Sequence, residues 1–293
     1  MANSKYLRAV ALFGKKDEPD RSQPGQFGSY YLQELIAHGG MADIWLATNT
    51  KRETFTLRRL RDDSFFNFKQ RKQFVRGCEI LSKIHHHELV IGYIEHGKIE
   101  GSLYLLMEYV EASNLKILLA REDPVLAERV AEILIDMALA LEHVHTSGFM
   151  HLDFKPENVL ITRSGSLRLI DFDLARPIVE KPEQAAEYPG TPAYMAPEQL
   201  FRKPFDHRAD IFAYGVAAYE LLTHKKPFAG DSPEEILRKQ IDRIGTFIPP
   251  RELNPNIPQA LERIILKCLE RDMDKRYRYM SLLRHEVQTA LYV

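Results

Sequence analysis

The chain is organised around one stretch, His151-Leu152-Asp153-Phe154-Lys155-Pro156-Glu157-Asn158-Val159-Leu160. Just upstream, residues 127–146 carry apolar side chains at 130, 133, 134, 137, 141 and 144, one face of a helix that ends at Gly148. Downstream, a hairpin pattern leads into Asp171-Phe172-Asp173. The stretch therefore joins a long helix to a hairpin.

Further upstream, the region 30–109 is built of short apolar or alternating runs, 30–36, 43–48, 54–60, 90–95 and 103–109, separated by turn residues and read as five antiparallel strands. Phe74, Ile80, Leu81 and Ile84 approximate helical spacing within 69–84, so one helix interrupts the sheet. Beyond the central stretch the texture is helical, with patterns over 208–223, 233–243, 258–270 and 278–291. This order predicts an α+β chain of two unequal lobes with a crevice between them, a preferred place for ligands. Residues 1–29 read as a flexible leader, charged and broken by Pro19, Pro24 and Gly25.

A hydrophobic content of 45% over 293 residues argues against a disordered chain, and a net charge of -1 gives no electrostatic footprint for nucleic acid or an anionic membrane. The apolar runs fall short of the roughly 20 residues that a membrane-spanning helix requires. Two cysteines, Cys78 and Cys268, cannot build a disulfide framework or a four-cysteine zinc site, so a reducing cytoplasm is the expected setting. His85-His86-His87 reads as a helix end and loop, because adjacent histidines do not readily converge on one ion.

With Gly190-Thr191-Pro192-Ala193-Tyr194-Met195-Ala196-Pro197-Glu198, Asp210-Ile211-Phe212-Ala213-Tyr214-Gly215 and Arg276 following in order, the sequence resembles the protein kinases, specifically the bacterial Ser/Thr type, over about residues 30–285. The resemblance implies a two-lobed protein-kinase fold, with a small β-rich lobe over 30–110 and a larger helical lobe over 111–293. It also implies ATP and Mg²⁺ (or Mn²⁺) as cofactors and a protein as substrate or partner. Asp153 would accept the proton of the substrate hydroxyl, while Asn158 and Asp171 would hold the metal. Lys155 resembles the lysine placed on the transferring phosphate, and Thr191 the threonine that ties the substrate loop to it. By the same resemblance His151 would buttress Phe172, Glu198 would pair with Arg276, and Asp210 would anchor backbone amides of the catalytic loop.

The nucleotide half departs from the family pattern. The glycine-rich loop aligns with Ala37-His38-Gly39-Gly40-Met41-Ala42-Asp43-Ile44, which keeps only the middle glycine, beside an extra one. Taken alone, Gly39-Gly40 also reads as a hairpin turn. Phe55-Thr56-Leu57-Arg58 puts Arg58 at the position of the strand lysine, facing inward. Counting back from His86-His87-Glu88-Leu89-Val90 puts Gly77 where the helix glutamate belongs, and Glu79 lies about 200° round the helix from it. The Lys–Glu pair is read as missing at both ends. Restoring it with Arg58→Lys and Gly77→Glu together is expected to give more activity than either change alone. Asp173 replaces a glycine and is expected to add negative charge beside the metal. Leu152 replaces an arginine, and residues 174–189 contain no Ser or Thr, so phosphorylation of those residues is not expected to act as a switch.

An adenine slot follows from the same alignment. Met107 takes the gatekeeper position, Glu108-Tyr109-Val110 the hinge, and Ile44, Thr56 and Leu160 pack the ring, with Ile36 also at the nucleotide. The loss of the lysine, the glutamate and two glycines together leads to a pseudokinase, regulatory or scaffolding, that retains weak metal-dependent nucleotide binding; the alternative is an atypical active Ser/Thr kinase in which Arg58 acts for the lysine.

Overall fold

The computed structural model describes residues 23–39, 41–61, 68–184, 190–242 and 247–292. Strands β1 (Gly25–Phe27), β2 (Tyr30–His38), β3 (Ala42–Asn49), β4 (Thr54–Leu60), β5 (Tyr93–Ile99) and β6 (Ser102–Glu108) form one antiparallel sheet in the order β1-β2-β3-β4-β6-β5. Helix α1 (Phe68–Ile84) interrupts the run. The period-2 alternation of strands sorts the side chains between the two faces. Trp45, Ala47, Leu57 and Leu106 form a small core on one face with Phe27, Tyr30, Leu32 and Tyr104. Ala42, Leu60, Leu105 and Met107 join Phe74, Cys78 and Leu81 of α1 in the main core on the other. Because Leu57 points into the small core, its neighbour Arg58 turns toward α1.

Two differences from the sequence reading concern this sheet. The stretch read as leader contributes β1, because buried Phe27 packs edge-on against Tyr104. The fourth strand begins at Tyr93 rather than at 90, because 89–91 is committed to the other lobe. Leu169 donates its amide to Leu89 and accepts that of Ile91, at 2.8 and 3.1 Å. His143 Nε2 also meets the Ile84 carbonyl at 2.8 Å, so the end of α1 is tied to the large lobe.

The large lobe opens with β7 (Ala112–Asn114), α2 (Leu115–Arg121) and α3 (Pro124–Glu128). Helix α4 (Val130–Thr146) follows; the helix expected over 127–146 is broken at Arg129, and its first two residues belong to α3. Then come β8 (Phe149–Met150), the hairpin β9 (Val159–Thr162) with β10 (Leu167–Leu169), and β11 (Arg176–Pro177). Helices α5 (Pro197–Leu200), α6 (Arg208–Thr223), α7 (Pro233–Ile241), α8 (Pro250–Leu253), α9 (Gln259–Cys268) and α10 (Met280–Leu291) complete it. Helix α6 is buried almost all round, as expected of a helix at the centre of a lobe. Both cysteines are buried and free, and among the described residues no helix is long and apolar enough to cross a membrane.

One half-buried acid in α4 gives a pH-dependent prediction. Burial, with Glu88 and Glu132 nearby, pushes the Asp136 carboxyl from 3.8 up to about 6. A raised carboxyl binds its proton more tightly in the folded state, so its contribution to stability falls as pH rises from about 4 to 6 and stays low above that. Asp136→Asn is therefore expected to leave stability unchanged near pH 4 and to raise it above pH 6. The gain, discounted for the partial exposure of the group, is about 1 kcal/mol, or about 2–4 °C in Tm. Melting curves at pH 4 and pH 7.5 check this, and an equal shift at both would contradict it.

Candidate active site

The loop between β8 and β9 is held by one buried acid. Asp210, fully buried at the start of α6, accepts the His151 and Leu152 amides at 2.8 and 2.7 Å and meets His145 Nε2 at 2.8 Å. Burial alone would raise its carboxyl, and the His145 hydrogen bond and charge outweigh that and hold it below the usual carboxylate range. These bonds fix Leu152 in the left-handed region at φ 63°, a strained conformation for a leucine. His151 is buried, meets the Ile170 carbonyl at 3.2 Å and packs edge-on against Phe172 with centroids 5.0 Å apart, the buttress expected of it.

The polar residues of this loop converge on Asp153. Lys155 Nζ donates to Asp153 Oδ2 at 2.8 Å and to Thr191 Oγ1 at 2.9 Å. Asn158 Nδ2 donates to the Asp153 carbonyl at 2.8 Å and to its Oδ2 at 3.0 Å. Asp153, Lys155, Asn158 and Thr191 are thus brought together from two segments, and both donors to the carboxylate use Oδ2. Asp171 lies across the cleft at φ 64°, with its side chain 32% exposed. An amide carbonyl on Asn158 and a carboxylate on Asp171 are hard oxygen donors of the kind Mg²⁺ takes.

The small-lobe side is rewired rather than emptied. Arg58 Nη1 and Nη2 donate to Asp173 Oδ1 and Oδ2 at 3.0 and 2.7 Å, a bidentate pair, and Nη1 also reaches Asp171 Oδ1 at 3.3 Å. The guanidinium lies 5.5 Å from the centroid of the Phe74 ring. Gly77 lies in α1 against this pair. A Cβ there would meet Asp173 Oδ1 at 2.8 Å and its Cα and N at 2.9 Å. Arg76 Nη2 donates to the Asp173 carbonyl at 3.0 Å. The lysine and the helix glutamate are absent, as the sequence reading has it, but the cation in their place is not left alone: Asp173, buried and turned onto Arg58, supplies the carboxylate. Glu79 is exposed and faces away, as its position on the helix predicts. Burial works to raise the Asp171 carboxyl, and Arg58 overrides it and holds Asp171 low. Burial, with Asp171 adding to it, pushes Asp173 up to about 6 against the pull of Arg58.

Gly40 lies outside the described residues. Gly39 closes a tight hairpin, its amide donating to the Ala42 carbonyl at 2.9 Å, and Arg61 Nη2 donates to the Gly39 carbonyl at 2.6 Å. His38 Nδ1 meets Asp43 Oδ1 at 3.0 Å beside it. In the adenine region, Thr56 pairs with Met107 in register, and Ile44 lies opposite Arg58 on the next strand. Met107 is buried, Ile44, Thr56, Val110 and Leu160 are half-buried, and Ile36 is exposed. The Glu108 side chain has a further role. It accepts the Gly92 amide at 2.9 Å and Arg168 Nε at 3.2 Å, tying the segment between the lobes to β10.

Sequence reasoning missed Asp173 as the partner of Arg58, and Arg76, Arg168 and Glu220 as well. Glu220 accepts Lys116 Nζ at 2.9 Å and the Tyr194 hydroxyl at 2.5 Å, joining α2 and α6 to the segment after Thr191. The signal for Asp173 was present: a carboxylate gained where a glycine was expected, and a glycine where a carboxylate was. The stretch 174–184 is held by backbone contacts, β11 pairing with β8 and Glu183 exchanging two hydrogen bonds with Phe205 at 3.1 and 3.0 Å. Residues 185–189, the rest of the acidic stretch, lie outside the described residues.

A family model described as the protein kinase domain matches residues 30–287. A probable serine/threonine-protein kinase of Streptomyces coelicolor is 32% identical over 274 residues, covering 90% of this chain and 40% of that protein. Serine/threonine-protein kinase PknH of Mycobacterium tuberculosis is 31% identical over 278 residues, 92% of this chain and 44% of that protein. Serine/threonine-protein kinase PknB of Mycolicibacterium smegmatis is 29% identical over 271 residues, 88% of this chain and 42% of that protein. The chain spans less than half the length of these relatives.

Proposed function

The chain belongs to the protein kinase family, and on that premise we propose that it is the catalytic domain of an atypical Ser/Thr kinase, transferring the γ-phosphoryl group of ATP to a protein hydroxyl. The observation that carries this reading is the Asp153–Lys155–Thr191 arrangement, with Asn158 closing it from the other side. Lys155 and Asn158 both occupy Asp153 Oδ2, which leaves Oδ1 to accept the proton of an incoming hydroxyl. Lys155, buttressed by Thr191, brings a positive charge to the side from which the phosphoryl group would come. Mg²⁺ bound with ATP supplies neutralisation of phosphate charge, and Asn158 and Asp171 are the residues that would hold it. Arg58 would meet the phosphates from the small lobe. The domain from 30 onward, divided near 110, a protein substrate and a cytoplasmic setting are parts of the same proposal.

A second reading, a nucleotide-binding or scaffolding pseudokinase, is favoured by one observation: donors on the small-lobe side are already engaged, Arg58 by Asp171 and Asp173, and the Gly39 amide by Ala42. Radiolabel transfer from γ-labelled ATP to a generic protein substrate, alongside thermal shift with ATP and Mg²⁺ or Mn²⁺, separates the two. Transfer by the unmodified chain that Asp153→Asn reduces to the blank is the expected result. Stabilisation by ATP without transfer would establish the second reading instead.

A further inference from the structure

Arg58, Gly77 and Asp173 come from three segments, β4, α1 and the turn after β10, and each explains the other two. The Arg58 fork needs a carboxylate facing it edge-on, and Asp173 supplies both oxygens at 3.0 and 2.7 Å. Asp173 can lie this close to α1 only because position 77 has no Cβ, since one would lie 2.8–2.9 Å from its Oδ1, Cα and N. Arg76, the residue before Gly77, then fastens the Asp173 backbone through its carbonyl. We propose that Asp173 is the positioning residue that sets Arg58 for the nucleotide phosphates, with Gly77 as its packing complement. The anchor of the cleft's cation thereby moves from helix α1 to the segment that carries Asp171. This proposal rests on the reading of the site as one that takes ATP.

The arrangement has a functional consequence. Arg58 reaches Asp171 and Asp173 with one guanidinium, so the cation and the metal-holding carboxylate are set by a single unit only two residues apart. The side chain of Asp173 is 5% exposed and that of Asp171 32%, so the first is committed to Arg58 while the second still opens to the cleft. An arginine suits this work where a lysine would not, because its planar fork can hold a bidentate carboxylate and still present further N–H groups.

The test is a double-mutant cycle on the full chain with Arg58→Gln, Asp173→Asn and the pair. The readouts are the calorimetric Kd for ATP with Mg²⁺, KM and kcat for transfer, and the Tm of the ligand-free protein. Each single change is expected to weaken ATP binding about tenfold, and the double change to lose no more than the worse single. Asp173→Asn keeping Kd and KM within twofold, with only Tm lowered, would reduce Asp173 to a structural cross-link and overturn the proposal. So would losses that simply multiply in the double variant, or an unmodified chain that binds no ATP. An unmodified chain that binds ATP without transferring phosphate would sink the enzyme reading alone, because the Kd cycle still judges the positioning. For the complement, Gly77→Ala is expected to weaken ATP binding in the unmodified background and to cost little further in Asp173→Gly, where the Arg58 pairing that it disturbs is already gone. Equal losses in both backgrounds would overturn the role given to Gly77.

Discussion

Gly77→Glu is expected to cost the folded protein about 4 kcal/mol or more, although the sequence alone offers it, together with Arg58→Lys, as the restoration of a missing pair. The new Cβ would enter at 2.8–2.9 Å from Asp173, and two of the three atoms it meets are backbone, which cannot rotate aside. Overpacking of this kind costs about 1–3 kcal/mol. The glutamate would also place a third carboxylate in a buried site where Arg58 already serves Asp171 and Asp173, and an uncompensated buried charge adds about 3–5 kcal/mol. Gly77→Ala separates the two effects, since it carries only the steric cost. Arg58→Lys does not rescue the glutamate, because Asp173 still occupies the space. Urea and thermal unfolding of the two variants measure this, and a Gly77→Glu protein as stable as the parent would show that α1 moves outward freely.

That reversal marks where the sequence was legible and where it was not. The order of strands and helices, the inward register of Arg58 and the cluster at Asp153 could be read because each depends on local periodicity or on motif residues a few positions apart. The displaced fourth strand could not, because Val90 and Ile91 are apolar in either arrangement and pairing with Leu169 is a contact across the lobes. The Arg58–Asp173 pair spans 115 positions. Read one position at a time, Arg58, Gly77 and Asp173 are three losses; together they are one exchange, a carboxylate passing from helix to loop while a glycine passes from loop to helix. Complementarity of that kind appears only when the segments are brought side by side. The tight Gly39 hairpin was legible as a turn, and its fastening by Arg61 was not.

Arg276→Ala is expected to destabilise the large lobe by about 3–5 kcal/mol. Arg276 Nη1 and Nη2 donate to Glu198 Oε1 and Oε2 at 2.7 and 2.8 Å, and the two side chains are 0% and 8% exposed. Its Nε donates to the Glu270 carbonyl at 2.8 Å, Nη1 also reaches the Arg208 carbonyl at 3.1 Å, and the guanidinium lies 5.0 Å from the centroid of the Phe212 ring. Truncation strands the Glu198 carboxylate without its counter-ion and removes the donors to the Glu270, Arg208 and Arg271 carbonyls, so desolvation costs outweigh the loss of the pair itself. Arg276→Lys is expected to recover only part, since an ammonium cannot span both carboxylate oxygens. Removing both charges, as Arg276→Met with Glu198→Leu, is expected to cost less than Arg276→Ala, because no buried charge is left alone. For a chain of this length the single truncation corresponds to a fall of about 5–8 °C in Tm. Activity should fall with it below the melting transition, since Glu198 opens α5 seven residues after Thr191 and its fixation holds the segment on which Lys155 relies. A Tm within 2 °C of the parent, or a double variant less stable than Arg276→Ala, would contradict this account of how the large lobe holds its catalytic loop.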